Sequence, residues 1–114
     1  MSAASVRAKS VSVGESFSLA VKKDSATAVD GSATEDIGKD MAMTVGQSFT
    51  MTCGDAKVTV KKNGDIEIQG KSITIKGSGP VKVSGSKLEV ASDGTVKVNA
   101  SGAVKVSGGT VDIN

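Results

Sequence analysis

One small unit recurs along this chain, and its rhythm limits what the chain can fold into. From Ala56 to Ile113 the sequence reads AKVTV, GDIEI, KSITI, GPVKV, SKLEV, GTVKV, GAVKV, GTVDI. Each unit ends in an apolar–polar–apolar triplet. The triplets begin at Val58, Ile66, Ile73, Val81, Leu88, Val96, Val104 and Val111, at steps of 8, 7, 8, 7, 8, 8 and 7 residues. A unit this short cannot bury its apolar side alone. It has to stack on neighbours, and stacking builds a long object rather than a pocket.

Residues i and i+2 of a strand share a face and the residue between them takes the other. The dry face therefore collects Val58 with Val60, Ile66 with Ile68, Ile73 with Ile75 and Val81 with Val83. It continues with Leu88 and Val90, Val96 and Val98, Val104 and Val106, and Val111 and Ile113. The middle residues, Thr59, Glu67, Thr74, Lys82, Glu89, Lys97, Lys105 and Asp112, are all polar, so one face is wet. A third inward slot is small or polar: Ala56, Gly64, Lys71, Gly79, Ser86, Gly94, Gly102, Gly109.

An earlier version of the repeat runs at a constant eight-residue step. Its anchors are Val13, Val21, Val29, Ile37, Val45 and Cys53, four of them followed by Gly. On these strands Phe17, Leu19 and Val21 share one face, as do Met41, Met43 and Val45, and Phe49, Met51 and Cys53. Between Val21 and Met41 the pattern weakens, because Thr27 and Glu35 take inward slots. Either the repeat continues there with a wetter interior or part of residues 22–40 bulges outward; the unbroken spacing favours continuation. An inward Glu35 needs a partner, a proton, water or a cation. The chain thus reads as a lead-in over residues 1–8, a wider octad section over 9–55 filled by Phe and Met, and a narrower section over 56–114. The object tapers from the first section to the second.

Composition agrees with strands. The chain has 114 residues, room for one domain, with 14 Gly, one Pro, two Phe and no Trp, Tyr or His. Val, Ile and Thr at a spacing of two, punctuated by Gly, favour short strands and tight corners. No stretch carries the i, i+3, i+4 apolar stripe of a helix. No signal-peptide core or membrane-length apolar run is present. A single cysteine leaves no intrachain disulfide, and Cys53 reads as a small inward hydrophobe. Net charge is +2, too small to imply a nucleic acid. The lysines concentrated after residue 56 read as a solvated face that keeps strands from pairing with strangers. Without His, a Cys pair or any HExxH, P-loop or GxSxG pattern, the expectation is no enzyme, no cofactor and no metal.

Corners every 7–8 residues leave strands of about five residues, roughly 17 Å long. The expected fold is all-β, a triangular β-helix or prism, made by one coiling chain or by three intertwined chains. Alone, fourteen such strands would give about 22 Å of solenoid with open edges at both ends. Three intertwined chains would give a shaft of roughly 67 Å in which each strand lies between strands of the other two. Edge protection favours the trimer.

The octads from Val13 to Gly54, followed by the V-K-V and I-T-I triplets to Ile113, resemble the C-terminal β-helical spike of VgrG proteins. These form the needle tip of bacterial type VI secretion systems and are similar to the central spike of contractile-tailed phages. The resemblance covers about residues 9–114. It implies a rigid homotrimeric needle that punctures a target membrane, held in the cytoplasm before firing and secreted through the injection machine rather than by a signal peptide. It also implies a PAAR-repeat tip protein seated on a platform of Val104, Val106, Val111 and Ile113, and a tube-docking N-terminal part that this sequence lacks. The iron-binding apex of some phage spikes uses His, which is absent here. The alternative is a bactofilin-like scaffold polymer, a monomeric β-helix stacking end to end. A polysaccharide-binding shaft would need exposed aromatic platforms, and Phe17 and Phe49 are expected inside.

Overall fold

A computed structural model describes residues 6–114. Most of the lead-in expected over residues 1–8 lies outside the described residues. The fold is all-β, and no helix occurs among the described residues. Three strands form one open antiparallel sheet in the order β1-β2-β3: β1 is Ser48–Cys53, β2 is Ala56–Lys61 and β3 is Ile66–Gln69. The chain divides into two units, Met1–Thr44 and Val45–Asn114, and the sheet belongs to the second. The change of repeat at residues 55–56 falls inside that unit, in the turn between β1 and β2.

Both turns follow from local sequence. Between Cys53 and Ala56, which pair across the strands, only Gly54 and Asp55 intervene. Gly54 has φ +56°, the left-handed value that a two-residue type II′ turn requires at its first central position. The second turn is one residue longer. Lys61 N donates to the Asp65 carbonyl at 3.0 Å, and Gly64 N donates to the Lys61 carbonyl at 3.0 Å. Gly64 has φ +98°. This is a tight turn closed by a bulge, in which a left-handed glycine takes the bulge position. Asn63 fastens it: its Oδ1 accepts from Asp65 N at 3.1 Å, and its Nδ2 donates to Asp65 Oδ2 at 3.2 Å.

Elsewhere the repeat is visible as bending. In the first unit the chain bends at Arg7 and then at Gly14-Glu15, Lys22-Lys23, Asp30-Gly31 and Gly38-Lys39, the last four eight residues apart. The rhythm does not falter through residues 22–40, where the sequence pattern weakens. In the second unit it bends at Gly46-Gln47 and, beyond the sheet, at Lys71, Ser78-Gly79, Ser86, Asp93-Gly94, Ser101-Gly102 and Gly109. The corner at Asp93-Gly94 is closed by Ser92, whose Oγ accepts from Gly94 N at 3.2 Å. Most of the residues read from sequence as a third inward slot lie at corners. Lys71, Gly79, Ser86, Gly94, Gly102 and Gly109 sit at bends, and Gly64 lies in the second turn, because small residues and corner formers are the same residues. Ala56 alone among them lies in a strand, opposite Cys53.

Two features set this chain apart from a folded monomer. Outside the strand ladder, the backbone–backbone hydrogen bonds among the described residues number three, and all lie between Gln47 and Asp65. The remaining repeats make none, although every peptide group carries a donor or acceptor. No described residue is buried, and the chain leaves 12412 Å² accessible. A folded monomer of 11.3 kDa exposes roughly 5,700 Å² and its unfolded chain roughly 16,400 Å². The single chain lies nearer the second figure. In the sheet, strands expected to lie between strands of other chains instead pair with their neighbours in sequence, because Gly54 and Gly64 reverse the chain.

Gly64→Ala and Gly54→Ala are each expected to destabilise the folded protein by about 1–2 kcal/mol per chain. A Cβ at either position meets no atom within 4 Å, so the cost is that of the left-handed backbone alone. Thermal unfolding followed by circular dichroism measures it.

Candidate interaction face

The register of the sheet sorts its side chains onto two faces. Phe49 lies opposite Val60, and Val60 opposite Ile66; Met51 lies opposite Val58, and Val58 opposite Ile68. With Cys53 opposite Ala56, these residues form one continuous apolar face. The other face holds Thr50, Thr59 and Glu67 in one row and Thr52, Lys57 and Gln69 in the next. The alternation read from the triplets therefore holds across three paired strands. Six of the expected core residues, Phe49, Met51, Val58, Val60, Ile66 and Ile68, come together here.

That face is open. Phe49 and Val58, with Thr59 behind them, are half-buried, and every other described residue is exposed. Cys53 is a free, exposed thiol at the edge of the face. Ion pairs contribute little to holding the chain. Lys71 Nζ reaches Asp55 Oδ2 at 3.2 Å, and Lys87 Nζ reaches Glu89 Oε1 at 2.7 Å, but all four side chains are well exposed. Such pairs are worth about 0–1 kcal/mol.

The other residues assigned to the core stand exposed in the single chain. In the first unit these are Phe17, Leu19, Val21, Met41 and Met43, and in the second Val45, just before the sheet. After the sheet come Ile73, Ile75, Val81, Val83, Leu88, Val90, Val96 and Val98. The residues assigned to a tip platform, Val104, Val106, Val111 and Ile113, are exposed as well. Their exposure is graded by the corners. Val104, two residues after a bend, is 52% exposed, and Val106 is 73% exposed. Before a bend the order inverts: Val21 is 49% exposed and Leu19 is 73% exposed. The turning backbone shields whichever apolar residue lies nearest to it. Glu35 is exposed like its neighbours. Among the described residues, no three His, Cys, Asp or Glu side chains are grouped to hold a metal ion.

Sequence reasoning placed these strands correctly by face but missed their pairing within one chain. The signal was present: two residues, Gly54-Asp55, between two alternating runs, and Asn63-Gly64 before the next.

If a second copy of the chain covers the apolar face, a charge in its middle is expected to abolish that association. Val58→Lys should leave a monomer at micromolar concentration, because a buried unpaired ammonium costs several kcal/mol. Thr59→Lys, on the opposite face beside Glu67, should associate as the parent does. Light scattering on the eluting protein distinguishes the two. Comparison of the chain with protein-family models, with curated proteins and with solved structures gives no match.

Proposed function

We propose that this chain is the shaft of a homotrimeric spike that punctures membranes, similar to the C-terminal region of VgrG and to phage central spikes. The observation that carries the reading is the accessible area. The chain exposes 12412 Å², about 6,700 Å² more than a folded monomer of its mass would. Covering an excess of that size takes an interface of the obligate class, which runs to several thousand Å².

Identical copies are the natural cover. The triplets advance by 8, 7, 8, 7, 8, 8 and 7 residues, and an unrelated repeat would drift out of step with that series. A copy of the same chain matches it at every corner. Bends at each seventh or eighth residue suit a triangular cross-section, with the rows of Val and Ile inside and Lys97, Lys105 and the other middle residues outside. In such a prism, strands of three chains alternate in the repeats that make no backbone hydrogen bonds of their own.

The function follows from the mechanics. A rod driven through a bilayer must not bend or unfold during the stroke. Interwound chains resist unfolding kinetically, since none leaves without unthreading from the others. Their stability is inseparable from association. The exposed set Val104, Val106, Val111 and Ile113 gives a PAAR-repeat tip protein an apolar platform on which to sit. No reaction is required of any side chain.

The assembled particle is expected to have a mass of about 34 kDa, three times the 11.3 kDa of one chain, and to survive SDS without boiling. Size-exclusion chromatography with light scattering and unheated SDS gels measure both. A folded monomer overturns the proposal. Filaments under negative stain would favour the scaffold polymer instead.

A further inference from the structure

The β1–β3 meander is the one place among the described residues where the backbone is satisfied from within. β2 has a neighbour on each side, and the chain's remaining backbone–backbone hydrogen bonds cluster around the same turns. We propose that this meander closes in each chain before the chains meet, and that its apolar face is where two further copies first dock and fix their register. The proposal rests on the trimeric reading above.

Three features support that order. The first is locality. A two-residue turn and a slightly longer one join the strands, and hairpins of this kind close in about 1–10 μs. Encounters between three chains are slower and depend on concentration. The second is size. Three strands with one apolar face are about the smallest sheet that has independent stability. Phe49 and Met51 on β1, Val58 and Val60 on β2, and Ile66 and Ile68 on β3 form a ready face with nothing on it. The area excess calls for an obligate cover, and a copy brings an identical face about a common axis.

The third is register. From Leu88 to Val104 the triplets are evenly spaced at eight residues and nearly alike in sequence. A slip by one whole repeat there keeps every valine on the dry side, so those repeats cannot set the alignment of three chains. The meander is unlike any other repeat. Among the described residues it alone has left-handed glycines, Gly54 and Gly64, and the Asn63–Asp65 clasp. Three meanders packed face to face meet in one alignment only.

Pulsed hydrogen exchange during refolding of the full chain, at several chain concentrations, tests this. Amides of Lys57–Lys61 should gain protection at a rate independent of concentration. Those of the later repeats, such as Val96 and Val104, should gain it faster as concentration rises. Gly64→Ala should slow the appearance of trimer by at least about 5-fold, while the assembled trimer dissociates within about two-fold of the parent rate. If the β2 amides follow the same concentration dependence as the later repeats, the docking order is overturned and the trimer stands. Protection that nowhere depends on concentration, in a particle of one chain's mass, overturns the trimer and the docking face together.

Discussion

A β-strand is an incomplete structure. Its peptide groups need partners in the plane of the sheet, and its apolar row needs cover from above. In this chain one strand, β2, meets the first need on both sides, and no strand meets the second. Repeats of seven or eight residues, bent at every corner, offer their neighbours in sequence little edge to pair with. In the proposed trimer the neighbours they lack are supplied by the other two chains.

The composition suits such a fold. A thin shaft leaves little room about its axis, which favours Val, Ile and Gly over aromatics. β-branched side chains also lose little rotamer freedom in a strand. In the proposed shaft the wider section over residues 9–55 would use longer side chains, Phe17 and Phe49 with Met41, Met43 and Met51, where space is irregular. Charge has a secondary part. The ion pairs of Lys71 with Asp55 and Lys87 with Glu89 are exposed, and their energies are small beside those of the apolar rows. On the proposed shaft the lysines at the middle positions would make the outer surface unattractive to foreign strands.

The all-β class and the spacing of the corners were legible in the sequence, but the single chain shows an open three-stranded sheet rather than a triangular prism. The eight-residue spacing of Val13, Val21, Val29, Ile37 and Val45 reappears as bends one residue further on, and the alternation around Val58 and Ile66 reappears as the register of the sheet. The pairing within the chain was hidden for a physical reason. A hairpin and a prism corner both place a small residue directly after an apolar anchor, and Cys53-Gly54 fits either. What separates them is the left-handed φ of Gly54 and the direction in which the next strand leaves, and periodicity carries neither. The same degeneracy made Gly79, Gly94 and Gly102 read as inward slots. Period two predicts faces well, but it does not say where a strand ends and a corner begins.

Interwinding makes a shaft hard to take apart and, by the same physics, hard to put together. Contacts between chains close no local loop, so they wait on encounter, and extended repeats with unmet backbone are open to wrong partners meanwhile. A shaft built only of equivalent repeats would also have many nearly equivalent alignments. A short meander that closes by itself changes both terms. It turns part of a three-body problem into a local one, and it breaks the translational symmetry of the repeat at one point. In the proposed assembly Gly54 and Gly64, placed where the octad series gives way to the mixed seven- and eight-residue series, would set the alignment for both series.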